Sequence, residues 1–299
     1  MPGFVPWDSR PLTSWEEVRP PGYVVDLGGR RTHFVRKGSG PPVLLIHGFN
    51  LDLNAWLANV DALARHFTVI AVDLWGFGYS TREPLDWGFP LYSEQVRGLM
   101  DHLAIPRAHL VGHSMGGGVA IAAAVDDPAR VDRLVLVASV GGPRTATLRE
   151  RLFRLPWLPE LLLRLPTDAI RRRNLRDLWI RDPELLTPEV FAALTGFQRV
   201  AGSIRTALAI LRRDFFGGLD AELDRLAALG IPTLLVWGCH DRAVPVAAGR
   251  ELHRRLPGSR LELFERSSHL PNFDEPDRFN DLLVTFLQDG TGPRTSDGP

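Results

Sequence analysis

The chain has 299 residues, 44% of them hydrophobic and 23% charged, and its 35 basic and 35 acidic side chains give a formal net charge of zero. That length suits one large α/β domain, or a domain carrying an insertion, with a sizeable core. The charge balance argues against a nucleic-acid partner, which needs a basic patch. No stretch approaches the ~18 consecutive apolar residues of a membrane-spanning helix.

Residues 1–22 are rich in Pro and Trp, lack any period and read as an irregular arm. The opening MPGFVPWDSR has no charged segment followed by an apolar run. It therefore predicts no signal peptide, and a soluble cytoplasmic protein is the default. Tyr23 to Val35 holds two short candidate strands around the turn Gly28-Gly29. The run VLLIHG (Val43 to Gly48), bounded by turn signals, fits a strand buried on both faces. The same shape recurs in FTVIAVD ending at Asp73, HLVGHS ending at Ser114 and RLVLVAS ending at Ser139. PTLLVWG ending at Gly238 and RLELFE ending at Glu265 repeat it again.

Helical patterns lie between these runs: Asn54 to Arg65, Tyr92 to Leu103, and the Gly- and Ala-rich Met115 to Val125. Alternating strands and helices predict a doubly wound α/β fold, a mostly parallel sheet with helices on both faces. The alternation stops after Gly142. Residues 143–226 show leucines at helical spacing broken by prolines, and read as a helical cap inserted into a core of residues 1–142 and 227–288. The other reading of this Leu-, Arg- and Trp-rich stretch is an amphipathic segment lying on a membrane surface. Residues 289–299 are Gly, Pro and polar, the composition of a disordered tail. The one cysteine, Cys239, cannot form an internal disulfide and reads as a small buried residue at a strand end.

Gly112-His113-Ser114-Met115-Gly116 matches G-x-S-x-G, and its context carries more weight than the pattern. It follows a predicted strand and opens a small-residue helix, as a nucleophile elbow must, so that the serine hydroxyl is lifted out of the sheet. A serine hydroxyl needs a base within hydrogen-bond reach. His113 adjoins the serine, but an elbow points neighbouring side chains in different directions. His269, in the loop SSHLPNFDEP after the last predicted strand, is the better candidate. Asp241, in WGCHD after the preceding strand, is the acid that would orient it; chain order Ser, acid, His fits this architecture. Asp220 and Asp224 lie in a helical pattern and suit the role less well, and His240 reads as a loop residue. Two main-chain N–H groups would receive the oxyanion: that of Met115, which follows the nucleophile, and that of Phe49, which follows His47-Gly48. Asp73, opening DLWGFGYS, reads as an acceptor for loop N–H groups rather than as a catalytic acid.

Together HGF, DLWGFGYS, GHSMGG, WGCHD and SSHLPNFDEP resemble the α/β-hydrolase superfamily over roughly residues 23–288. Haloalkane dehalogenases and epoxide hydrolases of that superfamily carry aspartate at the elbow; Ser114 here implies acyl chemistry instead. The esterase and perhydrolase group is similar in HGFNLD and GHSMGGG. The expectation is hydrolysis of small to medium apolar carboxylic esters, a small-molecule substrate, through an acyl-enzyme. No metal or organic cofactor is implied, since H-E-x-x-H, paired C-x-x-C and phosphate-loop patterns are missing. Carbon–carbon bond hydrolysis, perhydrolysis, acyl transfer to another acceptor and a non-catalytic ligand-binding protein on the same fold remain alternatives. Trp157, Trp179, Phe215 and Leu270 are candidate pocket residues. The oligomeric state is not legible in the sequence.

Overall fold

The computed structural model describes residues 7–12, 21–142, 168–213 and 215–289. Trp157, the first part of the expected cap (143–167) and the tail from 290 lie outside them.

The strands are β1 (Tyr23–Leu27), β2 (Arg30–Lys37), β3 (Pro42–Ile46), β4 (Thr68–Val72), β5 (Ala108–His113), β6 (Val131–Val137), β7 (Thr233–Gly238) and β8 (Arg260–Phe264). They form one sheet in the order β1-β2-β4-β3-β5-β6-β7-β8. β1 pairs antiparallel with β2, and β2 antiparallel with β4; every later pairing is parallel. The apolar runs make this sheet because both of its faces are covered. Leu44 and Ile46 of β3 enter one core cluster and Val43 and Leu45 the other, all four fully buried. Each such side chain contributes about 1.5–3 kcal/mol relative to exposure.

One face carries α2 (Phe89–His102) and α3 (Met115–Asp126), and the opposite face α1 (Val60–Leu63). α2 starts a turn before the sequence pattern does, because Pro90 sits in its first turn, where a missing N–H costs nothing. The single helix expected from Asn54 to Arg65 is broken into a 3₁₀ turn (Leu53–Trp56) and the short α1. The break falls at buried Asn59, whose side-chain amide donates to the Asn272 carbonyl and to Asn280 Oδ1, both at 2.9 Å. A partner more than 200 residues away thus shapes this turn, and no local pattern shows it.

After β6 the described chain is helical: α4 (Asp168–Asn174), a π-helical turn (Leu175–Trp179), α5 (Pro188–Thr195), α6 (Ser203–Arg212) and α7 (Asp220–Leu229). The expected boundary at 226/227 falls inside α7, whose Leu223 and Leu226 are buried in the same cluster as α3. α8 (Val246–Arg255), the short α9 (Pro271–Asp274) and α10 (Pro276–Gln288) complete the fold. The N-terminal arm lies along the inserted segment. Asp8 and Ser9 N–H groups donate to the Gln198 and Arg199 carbonyls, and Trp7 is buried against the Arg171 guanidinium, 3.8 Å from its ring centre. Among the described residues no helix is long and apolar enough to cross a membrane. Cys239 corrects the expectation of a buried thiol: it stands one residue past the end of β7 and is exposed.

Candidate active site

The parallel strands end along one edge of the sheet. β3 is flanked by β4 on one side and β5 on the other, so the chain reverses its direction of winding between β3 and β5. In open α/β sheets a crevice opens at that point, beyond the strands' carboxyl ends. Gly48 and Phe49 follow β3 and Ser114 follows β5, so both flank this crevice.

Ser114 joins β5 to α3 with φ 52° and ψ −115°, a conformation that costs a non-glycine residue about 1–3 kcal/mol. The surrounding backbone holds it there. Its N–H donates to the Val137 carbonyl at 2.8 Å, and its own carbonyl accepts from Gly117 and Val140. The flanking glycines are required by space. A Cβ on Gly112 would lie 2.2 Å from the Gly116 carbonyl oxygen, and one on Gly116 2.3 Å from that of Ile46. The Ser114 side chain makes no capping bond to its helix.

Asp241 sits in the turn after β7, fully buried. Its Oδ1 accepts from the Ala243 and Val244 N–H groups, both at 2.8 Å, and its Oδ2 from His269 Nδ1 at 2.8 Å. A carboxylate opposite Nδ1 puts the ring proton there and leaves the Nε2 lone pair free. The His269 loop is fastened along its length. Ser267 Oγ donates to Glu275, Ser268 N–H to Asp274 Oδ2, and Leu270 N–H to the Trp179 carbonyl. Burial pushes Asp274 up to about 6, despite the backbone N–H groups of Ser268 and Arg181 that favour its charged form. The ring of His113, the residue before Ser114, stands edge-on to His269 with centroids 4.7 Å apart. Burial, then the neighbouring His269, holds the His113 ring well below the usual histidine range.

The N–H groups of Phe49 and Met115 donate to no protein acceptor among the described residues. The Phe49 ring is packed edge-on between Phe77 and Phe216, with centroids at 6.1 and 5.4 Å. His47 lies beneath this loop, fully buried. It accepts from the Leu74 N–H at Nε2, and Nδ1 faces the Gly48 carbonyl, so it is neutral; burial lowers its affinity for a second proton.

Asp73 ties the loops behind the site together, as its sequence context suggests. Its carboxylate accepts from the Leu53 and Tyr79 N–H groups, both at 2.8 Å. It also meets His33 Nδ1 at 2.7 Å, a partner that nothing in the sequence marks. Burial would raise Asp73, but the bond and charge of His33, with His47 and the Tyr79 N–H, together hold the carboxyl below its ordinary value. Arg82, also missed, is buried and donates to the Phe77, Gly78 and Ser80 carbonyls and to Ser203 Oγ of α6. It thereby links DLWGFGYS to the inserted segment. Burial brings it down to about 10, so it stays cationic at neutral pH.

The candidate pocket residues occupy different surroundings. Trp179 is half-buried, its ring 6.3 Å from that of His269, where the π-helical turn presents it. Such turns recur at functional sites. Phe215 is buried against Phe89 and Tyr92, and it is its neighbour Phe216 that meets Phe49. Leu270 is fully buried in the cluster that includes Leu175, Ile180 and Phe273. Asp220 and Asp224 both pair with Arg255, away from His269.

The model of the alpha/beta hydrolase family matches residues 43–282. An uncharacterized protein of Mycobacterium tuberculosis is 36% identical over 309 residues, covering 96% of this chain and 87% of its own. Among solved structures, a meta-cleavage product hydrolase from Pseudomonas fluorescens superposes with a TM-score of 0.72 at 30% identity, over 89% of this chain and 97% of that one. An enol-lactonase from Burkholderia xenovorans gives a TM-score of 0.74 at 26% identity, over 89% of this chain and all of that one.

Proposed function

The chain belongs to the alpha/beta hydrolase family, and from that premise we propose that it hydrolyses carboxylic esters, lactones among them, with Ser114 as nucleophile. The observation that carries this reading is the buried His269–Asp241 pair. It leaves Nε2 free, on a loop whose ring touches the residue before a strained serine. Ser114 Oγ attacks the ester carbonyl while His269 Nε2 takes its proton. The negative charge that develops on the carbonyl oxygen falls to the N–H groups of Phe49 and Met115. Loss of one such donor costs roughly a hundredfold to a thousandfold in other hydrolases. Asp241 holds the ring proton on Nδ1 and stabilises the imidazolium. The alcohol leaves with the proton from Nε2; water then enters, His269 takes its proton, and the acid departs from Ser114.

Phe49 stands edge-on to Phe216 after β3, and Trp179 stands beside His269; these apolar rings are the ones we assign to a pocket wall. We assign the helical insertion the role of a cap that completes an acyl pocket for uncharged, apolar substrates. The likeness to an enol-lactonase supports ester chemistry. The likeness to a meta-cleavage product hydrolase favours a second reading, in which the same serine machinery cleaves a carbon–carbon bond.

Turnover of p-nitrophenyl acetate, butyrate and octanoate by wild type and Ser114→Ala separates these readings. Ester hydrolysis predicts a burst followed by turnover in wild type, and a loss of about 10⁴-fold or more in the variant. Equal rates in both proteins would remove Ser114 as nucleophile. No turnover in either would favour the carbon–carbon reading, or a protein that only binds.

A further inference from the structure

His113 takes no part in the steps above, yet from the strand end before Ser114 it meets both the His269 loop and the loop after β3. It ends β5, directly before Ser114, and is buried. Its Nε2 lies 2.8 Å from the His269 carbonyl oxygen. That oxygen can only accept, so Nε2 carries the proton and donates. Nδ1 is then a bare acceptor, buried and without a partner. This nitrogen faces the loop after β3. A Cβ on Gly48 would lie 2.6 Å from His113 Nδ1 and 3.1 Å from Ser114 Cβ. The ring is therefore packed against the oxyanion loop on one side and the His269 ring on the other.

We propose that His113 is a positioning residue: its Nε2–H bond to the His269 carbonyl and its edge-on contact with the His269 ring fix the base relative to Ser114. This rests on the reading of Ser114 as nucleophile and His269 as base. A residue that only filled core volume would need neither a donor aimed at a main-chain oxygen nor an unpaired nitrogen; phenylalanine would serve better. The donor bonds the backbone of the base itself, so it sets where the imidazole swings from, while Asp241 sets its rotation. Burial, together with the nearby His269, keeps the His113 ring neutral. It therefore does not compete for the proton that leaves Ser114.

The test is the second-order rate of Ser114 phosphonylation by a fluorophosphonate, which needs the activated serine but not the right ester. Wild type, His113→Phe, His113→Asn and Ser114→Ala are compared over roughly pH 5 to 9. A positioning role predicts that His113→Phe is labelled about tenfold to a hundredfold more slowly than wild type. It also predicts that this variant loses most of the rise in rate with pH that base assistance provides. His113→Asn, which keeps an amide donor, should recover part of both. Labelling of His113→Phe within about twofold of wild type, with the same pH profile, would overturn the proposal and leave the nucleophile reading intact. A wild type that is not labelled at all would overturn the nucleophile reading, and this one with it. Should His113→Phe not fold, nitrogen-15 spectra of wild type decide: His113 must show a protonated Nε2 and a bare Nδ1 across the range, and any other state overturns the proposal.

Discussion

The sheet and the helical segment inserted between β6 and β7 are held together by different means. In the central strands the side chains from Val43 to Ile46 and from Val69 to Val72 are fully buried, against helices on both faces. In the inserted segment, α4 buries none of its side chains. It is held instead by guanidinium groups on aromatic faces: Arg171 lies 3.8 Å from the Trp7 ring centre and Arg172 4.4 Å from that of Phe191, while Arg199 covers Trp7 at 5.0 Å. Contacts of this kind are worth about 0.5–2 kcal/mol each. Apolar burial across a whole sheet sums to far more. The proposed nucleophile, base and acid therefore all hang from the apolar sheet, whereas the wall of the proposed pocket belongs partly to the less deeply buried segment.

Three variants probe the two regions separately. The largest effect is expected from Asp73→Ala. It removes the acceptor of two backbone N–H groups and strands buried His33, so unfolding in denaturant should show a loss of about 3–5 kcal/mol. A loss below about 1 kcal/mol would mean that the loops behind the site do not depend on this carboxylate. Trp7→Ala should act more locally. Amide exchange should accelerate in α4 and in residues 196–204, where the arm bonds, while β3 to β7 stay protected and p-nitrophenyl acetate is still hydrolysed. Uniform loss of protection across the sheet would erase the distinction between the two regions.

The smallest effect belongs to Asp274. Folding raises its carboxyl from 3.8 to about 6, so between those values the folded chain holds a proton that the unfolded chain releases. Stability from this group is therefore gained as pH falls from about 6 towards 4, and is lost as pH rises through 6. Asp274→Asn removes the titration. The melting temperature of wild type relative to this variant should thus rise by about 2–4 °C between pH 7 and pH 5, the shift that roughly 1 kcal/mol gives in a large domain. A gap that stays constant would show that Asp274 does not titrate in this range.

The same contrast decides what was legible in the sequence. The six long apolar runs become β3 to β8 with ends displaced by no more than two residues. At the C-terminal ends of β3, β4 and β5 the displacements fall where Gly48, Asp73 and Ser114 leave the ladder. Burial on both faces writes itself into a local run, and a glycine-flanked serine after such a run reads as an elbow. His269 and Asp241 stand out in the sequence by their loops after strands and by chain order, and the structure brings them within 2.8 Å of each other. What stayed hidden depends on distant partners. His33 meets Asp73 across 40 residues, Asn59 meets Asn272 across 213, and the arm meets α6 across 196. The thiol of Cys239 was misjudged for a related reason: a run buried to its last residue, Gly238, does not reveal that the next one turns outward. Phe215 and Phe216 are indistinguishable as letters, and only the packing sends one to Phe89 and the other to Phe49.

An acyl group carried on Ser114 is what ester hydrolysis by this protein requires. Wild-type protein mixed with p-nitrophenyl butyrate, quenched in acid within the first turnover and digested, should carry a butyryl group on the peptide containing Ser114 and on no other. Turnover of the ester with that peptide unmodified, or with the acyl group on another residue, would contradict it.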